Sequence, residues 1–167
     1  MPPVISQQSD AMTFNEKKEL AQYFIKCYLA ARQGLTKLGI LRSERTLQSD
    51  YAEWLVAELL DLQLAPSTIQ KAWDAKDAQG RTYQIKSRQV SNLSENTSFD
   101  LRRIEEPFDY LVCVFFSCTF ELLGIARVPY AVVRELGRQT ATSFRFRWNK
   151  RTASDNRIEK LVWPQGV

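Results

Sequence analysis

The stretch AWDAKDAQGRTYQIKSR, from Ala72 to Arg88, sets an aspartate, Asp74, before a turn and a glutamine and a lysine, Gln84 and Lys86, two residues apart behind it. Carboxylate and amide oxygens are hard donors of the kind that hold magnesium. A lysine beside them can hold an anion or orient a water. The chain contains no histidine, which excludes His-based acid–base catalysis, Ser-His and Cys-His nucleophile pairs, and His-ligated zinc. No P-loop, G-x-G-x-x-G pattern or internal repeat is present either. Chemistry on this chain must run on carboxylates, lysine, tyrosine or a metal held by oxygen.

These residues can meet only if the segment is a hairpin in the right register. Asp77-Ala78-Gln79-Gly80 fits a type I turn, with aspartate first and glycine fourth. With Gly80 left-handed this is a three-residue loop with a bulge, in which Asp77 pairs with Arg81 and Asp74 stands opposite Gln84. Opposed residues share a face, with Cβ atoms about 5 Å apart, and Lys86 shares it by alternation. A two-residue loop would set Asp74 opposite Tyr83 and disperse the group. A further carboxylate comes from the segment DYAEWLVAELL: the helical neighbours of Glu53 are Val56, Ala57 and Leu60, so it borders an apolar stripe and needs a cation or a donor. On these residues alone the ordinary reading also stands, in which an amphipathic strand turns Gln84 and Lys86 to water and Asp77 is a turn residue.

The combination resembles the PD-(D/E)xK nuclease superfamily, whose core order is helix, strand, strand, strand, helix, strand, with a helix Glu, a strand Asp and (D/E)-x-K on the next strand. Glu53, Asp74 and Gln84-Ile85-Lys86 match those positions. Gln84 departs from the usual acid and is similar to the Q-x-K version of the Mrr-like restriction endonucleases. The resemblance implies an α/β restriction-endonuclease-like fold, an αβββαβ core with a mixed sheet flanked by helices and an extra N-terminal helix. It implies catalytic Glu53, Asp74, Gln84 and Lys86, and one magnesium ion (manganese as substitute) on Asp74, Gln84, the Ile85 carbonyl and Glu53. The function implied is a magnesium-dependent endodeoxyribonuclease of restriction or phage defence, which could act as a homodimer. A catalytically silent DNA-binding or assembly module on the same fold is the alternative, and an RNA-processing nuclease is a third.

The elements that must position these residues follow from periodicity. Residues 1–12 read as a disordered N-terminus and 13–167 as one domain. A helix is expected from about Asn15 to Leu38, capped by Thr13 or Asn15 and followed by Gly39, and a second from Ser49 to Gln63, closed by Pro66. Strands are expected at Ile69–Lys76, Arg81–Arg88, FDYLVCVFFS and LLGIARV, then a helix from Pro129 to Leu136-Gly137. SFRFRWNK alternates Phe144, Phe146 and Trp148 with Arg145, Arg147 and Asn149, a strand with one apolar and one basic face. RIEKLVW reads as a short strand or helix. Gln89–Glu106 reads as a long polar loop, with Asn92, Asn96, Arg102 and Arg103 as candidate readers of base sequence.

Charge points the same way. Between Arg134 and Lys160 lie eight basic residues (Arg134, Arg138, Arg145, Arg147, Lys150, Arg151, Arg157, Lys160) and three acidic ones (Glu135, Asp155, Glu159), whereas the whole chain is only +4. That asymmetry fits a polyanion, with Ser87, Arg88, Arg102, Arg103, Arg145 and Arg147 as candidate DNA contacts. The four tryptophans read as core more readily than as base-stacking platforms. Cys27, Cys113 and Cys118 have no metal-ligand spacing and sit in apolar settings, which suggests buried, reduced thiols and a cytoplasmic location. No stretch is expected to span a membrane, and MPPVISQQSD lacks signal-peptide regions.

Overall fold

The computed structural model describes residues 12–37, 45–66 and 73–165; the expected disordered N-terminus, the Leu38–Gly39 helix end and the Ile69–Ala72 part of the expected strand lie outside them. Contacts divide the chain into Met1–Glu44 and Arg45–Val167, where one domain from residue 13 is expected from the sequence.

The first unit contains helix α1, Phe14–Lys37. Thr13 starts it with a capping box: its hydroxyl accepts the Glu16 N–H at 3.3 Å, and the Glu16 carboxylate accepts the Thr13 N–H at 2.8 Å.

The second unit runs α2 (Arg45–Leu60), β1 (Gln63–Leu64), β2 (Ala75–Lys76), β3 (Thr82–Gln89), β4 (Thr97–Leu101), β5 (Tyr110–Phe116), β6 (Leu122–Pro129), α3 (Tyr130–Leu136), β7 (Arg138–Gln139), β8 (Phe144–Trp148), α4 (Lys150–Ala153) and β9 (Glu159–Val162). A six-stranded sheet has the order β1-β2-β3-β5-β6-β9, and a three-stranded sheet the order β4-β8-β7. The larger sheet is mixed, because β3 and β5 run parallel while its other pairs are antiparallel. The fold is mixed α/β.

Five expectations need correction. The second helix starts a turn earlier than Ser49 and ends at Leu60, where Asp61 turns left-handed at φ 53°. Of the expected Ile69–Lys76 strand, only Ala75–Lys76 is a strand among the described residues. The Gln89–Glu106 segment is not a plain loop, because β4 lies in its middle, paired with β8. Its Ser and Asn content hides a Phe99/Leu101 alternation whose side chains are buried. The strands also form two sheets where one was expected: helices flank the larger sheet, α2 on one face and α3 on the other, but the second sheet shares the α3 face. Lastly, only Cys113 is a buried thiol; Cys27 and Cys118 are exposed.

The core lies between the two sheets. Phe99, Phe144, Phe146 and Trp148 of the small sheet pack on Leu111, Cys113 and Phe115 of β5, with Phe115 edge-on to Phe99 at 5.6 Å and tilted against Trp148 at 4.9 Å. Each fully buried Phe or Leu contributes about 1.5–3 kcal/mol. Gly137, after α3, is not a left-handed cap (φ −85°, ψ 175°); it is needed because a Cβ there would stand 2.2 Å from the Phe144 ring.

Two tight turns share one design. In the β2–β3 turn the Asp77 carboxylate accepts the N–H groups of Gln79 and Arg81, and Gly80 is left-handed at φ 80°. In the β5–β6 turn the Ser117 hydroxyl accepts the N–H groups of Thr119 and Glu121, and the left-handed position is held by Phe120 at φ 60°. A phenylalanine there is strained. Its ring is buried against Phe116, stacked at 5.6 Å, and Tyr51 of α2 at 6.3 Å, which offsets the strain and ties the hairpin tip to α2.

Candidate functional site

The hairpin has the register that brings Asp74 and Gln84 together. Ala75 pairs with Tyr83 and Lys76 with Thr82, the Asp77 N–H donates to the Arg81 carbonyl at 3.0 Å, and the Gly80 N–H donates to Asp77. Asp74 then faces Gln84. Its Oδ2 accepts the Gln84 amide Nε2 at 2.8 Å and the Ile85 backbone N–H at 2.7 Å. Burial pushes the Asp74 carboxyl above its ordinary value; the Ile85 N–H, Lys86 and Gln84 pull it back only in part.

Gln84 thus presents its nitrogen, not its oxygen, to the carboxylate. An amide oxygen pointing at a carboxylate would repel it, so the assignment follows from chemistry. Gln84 in this arrangement is a hydrogen-bond partner of Asp74, and its amide must turn before its oxygen can share a cation with it. Asp74 Oδ1 has no hydrogen bond among the described residues. The Ile85 N–H points to the β2 edge of β3, and its carbonyl lies on the same edge, as paired strand residues place both groups.

Side chains alternate along β3. Lys86 and Arg88 lie beside Cys113 and Phe115 in the parallel register, on the face toward the second sheet, whereas Ser87 lies beside Val114. Ser87 faces α2, where its hydroxyl accepts Gln48 Nε2 at 3.1 Å. Among the described residues β2 pairs with only the first two residues of β3, and from Ile85 to Gln89 the strand borders a cleft of about 970 Å³. Glu53 enters it from α2, Lys86, Ser87 and Arg88 from β3, and Arg102 and Arg145 from the second sheet and its flank. Of the apolar neighbours of Glu53, Val56 and Ala57 are buried and Leu60 is half-buried. Lys86 has neither hydrogen bond nor ion pair among the described residues, although Asp74 feels its charge.

The cleft carries four cations, Lys86, Arg88, Arg102 and Arg145, against the carboxylates Glu53 and Asp100. Asp100 holds two of them: Arg145 donates from Nε at 2.7 Å, and Arg88 Nη2 lies 3.9 Å away. The Arg145 guanidinium holds the Asp100 carboxyl below the usual carboxylate range. Sequence reasoning missed Asp100 because its value lies in a cross-strand pair, Asp100 opposite Arg145, within a segment read as loop.

Other candidates fall elsewhere. Arg103 pairs with Glu106 at 3.5 Å and is not among the residues that line the cleft. Arg147 is exposed on the outer face of β8, in a groove with Asn96 and Ser98. Among the described residues no three His, Cys, Asp or Glu side chains gather where they could hold a metal. The oxygen donors are the Asp74 and Glu53 carboxylates and the Ile85 edge carbonyl, hard oxygens that suit magnesium and leave room for its waters. No described helix is long and apolar enough to cross a membrane. No protein-family model matches the chain, and no curated protein matches it.

Proposed function

We propose that the second unit is a metal-dependent endonuclease that hydrolyses phosphodiester bonds of DNA, with a restriction-endonuclease-like core of the PD-(D/E)xK kind. The observation that carries this reading is the cleft along β3, lined by Glu53, Lys86, Arg88, Arg102 and Arg145, with Asp74 and Gln84 outside its lining and Asp74 bonded to the N–H of Ile85, which is part of it. The run α2, β1, β2, β3 and a β5 parallel to β3 supports it. The crossover from β3 to β5 carries β4 where the core order has a helix, a departure from that order.

Magnesium would be held by Asp74 and the Ile85 carbonyl, with Glu53 binding directly or through water and Gln84 joining once its amide turns. When bound, the ion supplies charge for the phosphate oxygens and lowers the pKa of a water. Lys86 orients that water or holds the scissile phosphate. Arg88, Arg102 and Arg145 hold the flanking phosphates by charge, and burial on the sheet edge limits water at Asp74. Cleavage for restriction or phage defence, in the cytoplasm and as a homodimer, completes the reading.

One observation favours a second reading. Gln84 is neutral and already satisfies Asp74 as a donor, which suits a silent DNA-binding module that has lost its metal. Plasmid incubated with magnesium, with and without EDTA, separates the two. The nuclease nicks or linearises DNA only without EDTA, and magnesium raises the melting temperature of the wild type but not of Asp74→Ala. Salt-sensitive binding without cleavage, and melting curves indifferent to magnesium, would leave the silent module.

A further inference from the structure

Three cavities of the second unit share walls. Arg145 lines both the cleft and a groove of about 330 Å³ on the outer face of β4 and β8, where Arg147 also lies. Trp148 and Asn149 line that groove and also a third cavity, of about 460 Å³. Leu93, Trp148 and Trp163 form apolar walls of this last cavity, and Lys150 and Lys160 belong to its lining. From Arg145 to Lys150 the chain covers roughly 15 Å at strand rise, the reach of a few nucleotides.

The third cavity differs in kind from the cleft. Its walls are indole rings, Trp148 and Trp163, with centroids 5.8 Å apart and planes 47° to each other. Gly124 lets Trp163 seat closely on β6, since a Cβ there would stand 2.8 Å from the ring. Lys160 Nζ lies 5.0 Å over the Trp163 ring. Both indole N–H groups are buried without an acceptor among the described residues, a condition that costs about 1–3 kcal/mol per donor. Trp148 is buried, whereas Trp163 is half-buried and Lys150 and Lys160 are exposed, and an aromatic wall between lysines suits a flat ring with negative charge beside it, which is the chemistry of a nucleotide.

We propose that β8 carries one nucleic-acid strand from the cleft to this cavity, where an unstacked base sits against Trp163 beside Lys160 and the flanking phosphates meet Arg147 and Lys150. The proposal rests on the cleft being a phosphodiester site but uses none of its catalytic candidates. A base inside a duplex offers no face to a side chain, so the track selects single-stranded or locally opened nucleic acid.

The full-length chain is titrated in EDTA, which prevents cleavage, with a 12-nucleotide thymidine strand, a uridine strand of the same length, a fully abasic strand with the same phosphates, and a duplex. Anisotropy reads affinity and tryptophan emission reads the cavity. A base-bearing strand binds about fivefold or more tighter than the abasic one and quenches emission. Trp163→Leu removes that difference. If this variant does not fold, Lys160→Glu, at an exposed position, still weakens single-strand binding and lowers its salt slope. Equal affinity for base-bearing and abasic strands, or tighter binding of duplex, overturns the proposal. Base-dependent binding by a chain that never cuts plasmid sinks the nuclease and keeps the track; cleavage with base-blind binding does the reverse.

Discussion

Asp74 and Lys86 make opposite demands on the protein. Lys86 has no partner among the described residues, so its charge is available to a ligand, and Lys86→Ala should lower cleavage by two orders of magnitude or more while the fold persists. Circular dichroism and plasmid turnover on the same sample check this; a well-folded variant that still cuts at wild-type rate removes Lys86 from the site. Burial opposes the ionisation of Asp74. Its folded pKa is raised, so the stability it contributes is fully present below the unfolded carboxyl value and is lost as pH rises through the raised one. Asp74→Asn keeps an acceptor for the Ile85 N–H and removes the charge. It should therefore melt higher than wild type at neutral pH without metal, by about 2–4 °C for each kcal/mol regained, match it below pH 4, and lose cleavage. A variant less stable at neutral pH would mean that the carboxylate is not the strained group.

At the scale of elements, the second sheet and its flank give the cleft two of its three arginines, Arg145 and Arg102, and Gly137 lets α3 pass over that sheet. Gly137→Ala would drive a Cβ into the Phe144 ring and the Val133 carbonyl, and overpacking of this kind costs about 1–3 kcal/mol. A fall in melting temperature of several degrees, with weaker DNA binding through a displaced β8, is the expected outcome; unchanged melting would show that Phe144 can move aside freely. The hairpin register was legible in the sequence because local chemistry sets it, through Asp77, Gly80 and the period-two alternation. The apolar run from Tyr110 to Phe116 and the two-faced SFRFRWNK strand were legible for the same reason. The strand β4 was not: its polar residues are Thr97, Ser98 and Asp100, and what makes it a strand is burial of Phe99 and Leu101 against residues far along the chain. Gln84 was identified as a site residue, but the choice between its oxygen and its nitrogen depends on Asp74 being partly buried, which spacing does not reveal.

For the molecule as a whole, net charge understates the electrostatics, since Lys86, Arg88, Arg102, Arg145, Arg147, Lys150 and Lys160 line three adjoining cavities of the second unit. Arg147 and Arg145 lie on the same strand but should count differently. Arg147 is exposed, so Arg147→Ala should lower the slope of log affinity against log salt by about 0.9 on duplex DNA, one phosphate contact. Arg145→Ala should lower it less, because Asp100 already neutralises part of its charge and would turn to Arg88. Equal losses would mean that Asp100 releases Arg145 on binding. The pairing that builds the cleft is also long-range: Thr82 reaches Asp109 across 27 residues, and Asp100 reaches Arg145 across 45, whereas the β5–β6 hairpin closes through five residues around Ser117–Glu121. Loop closure must be met before such contacts stabilise anything. The domain should therefore assemble outward from its β5–β6 hairpin, with the wall that carries Arg145 docking later and α2, whose Tyr51 meets Phe120 from farther along the chain, later still. On the proposed function, the wall that would meet nucleic acid is then held by late-forming contacts, whereas the turn behind Asp74 closes locally, from Asp77 to Arg81.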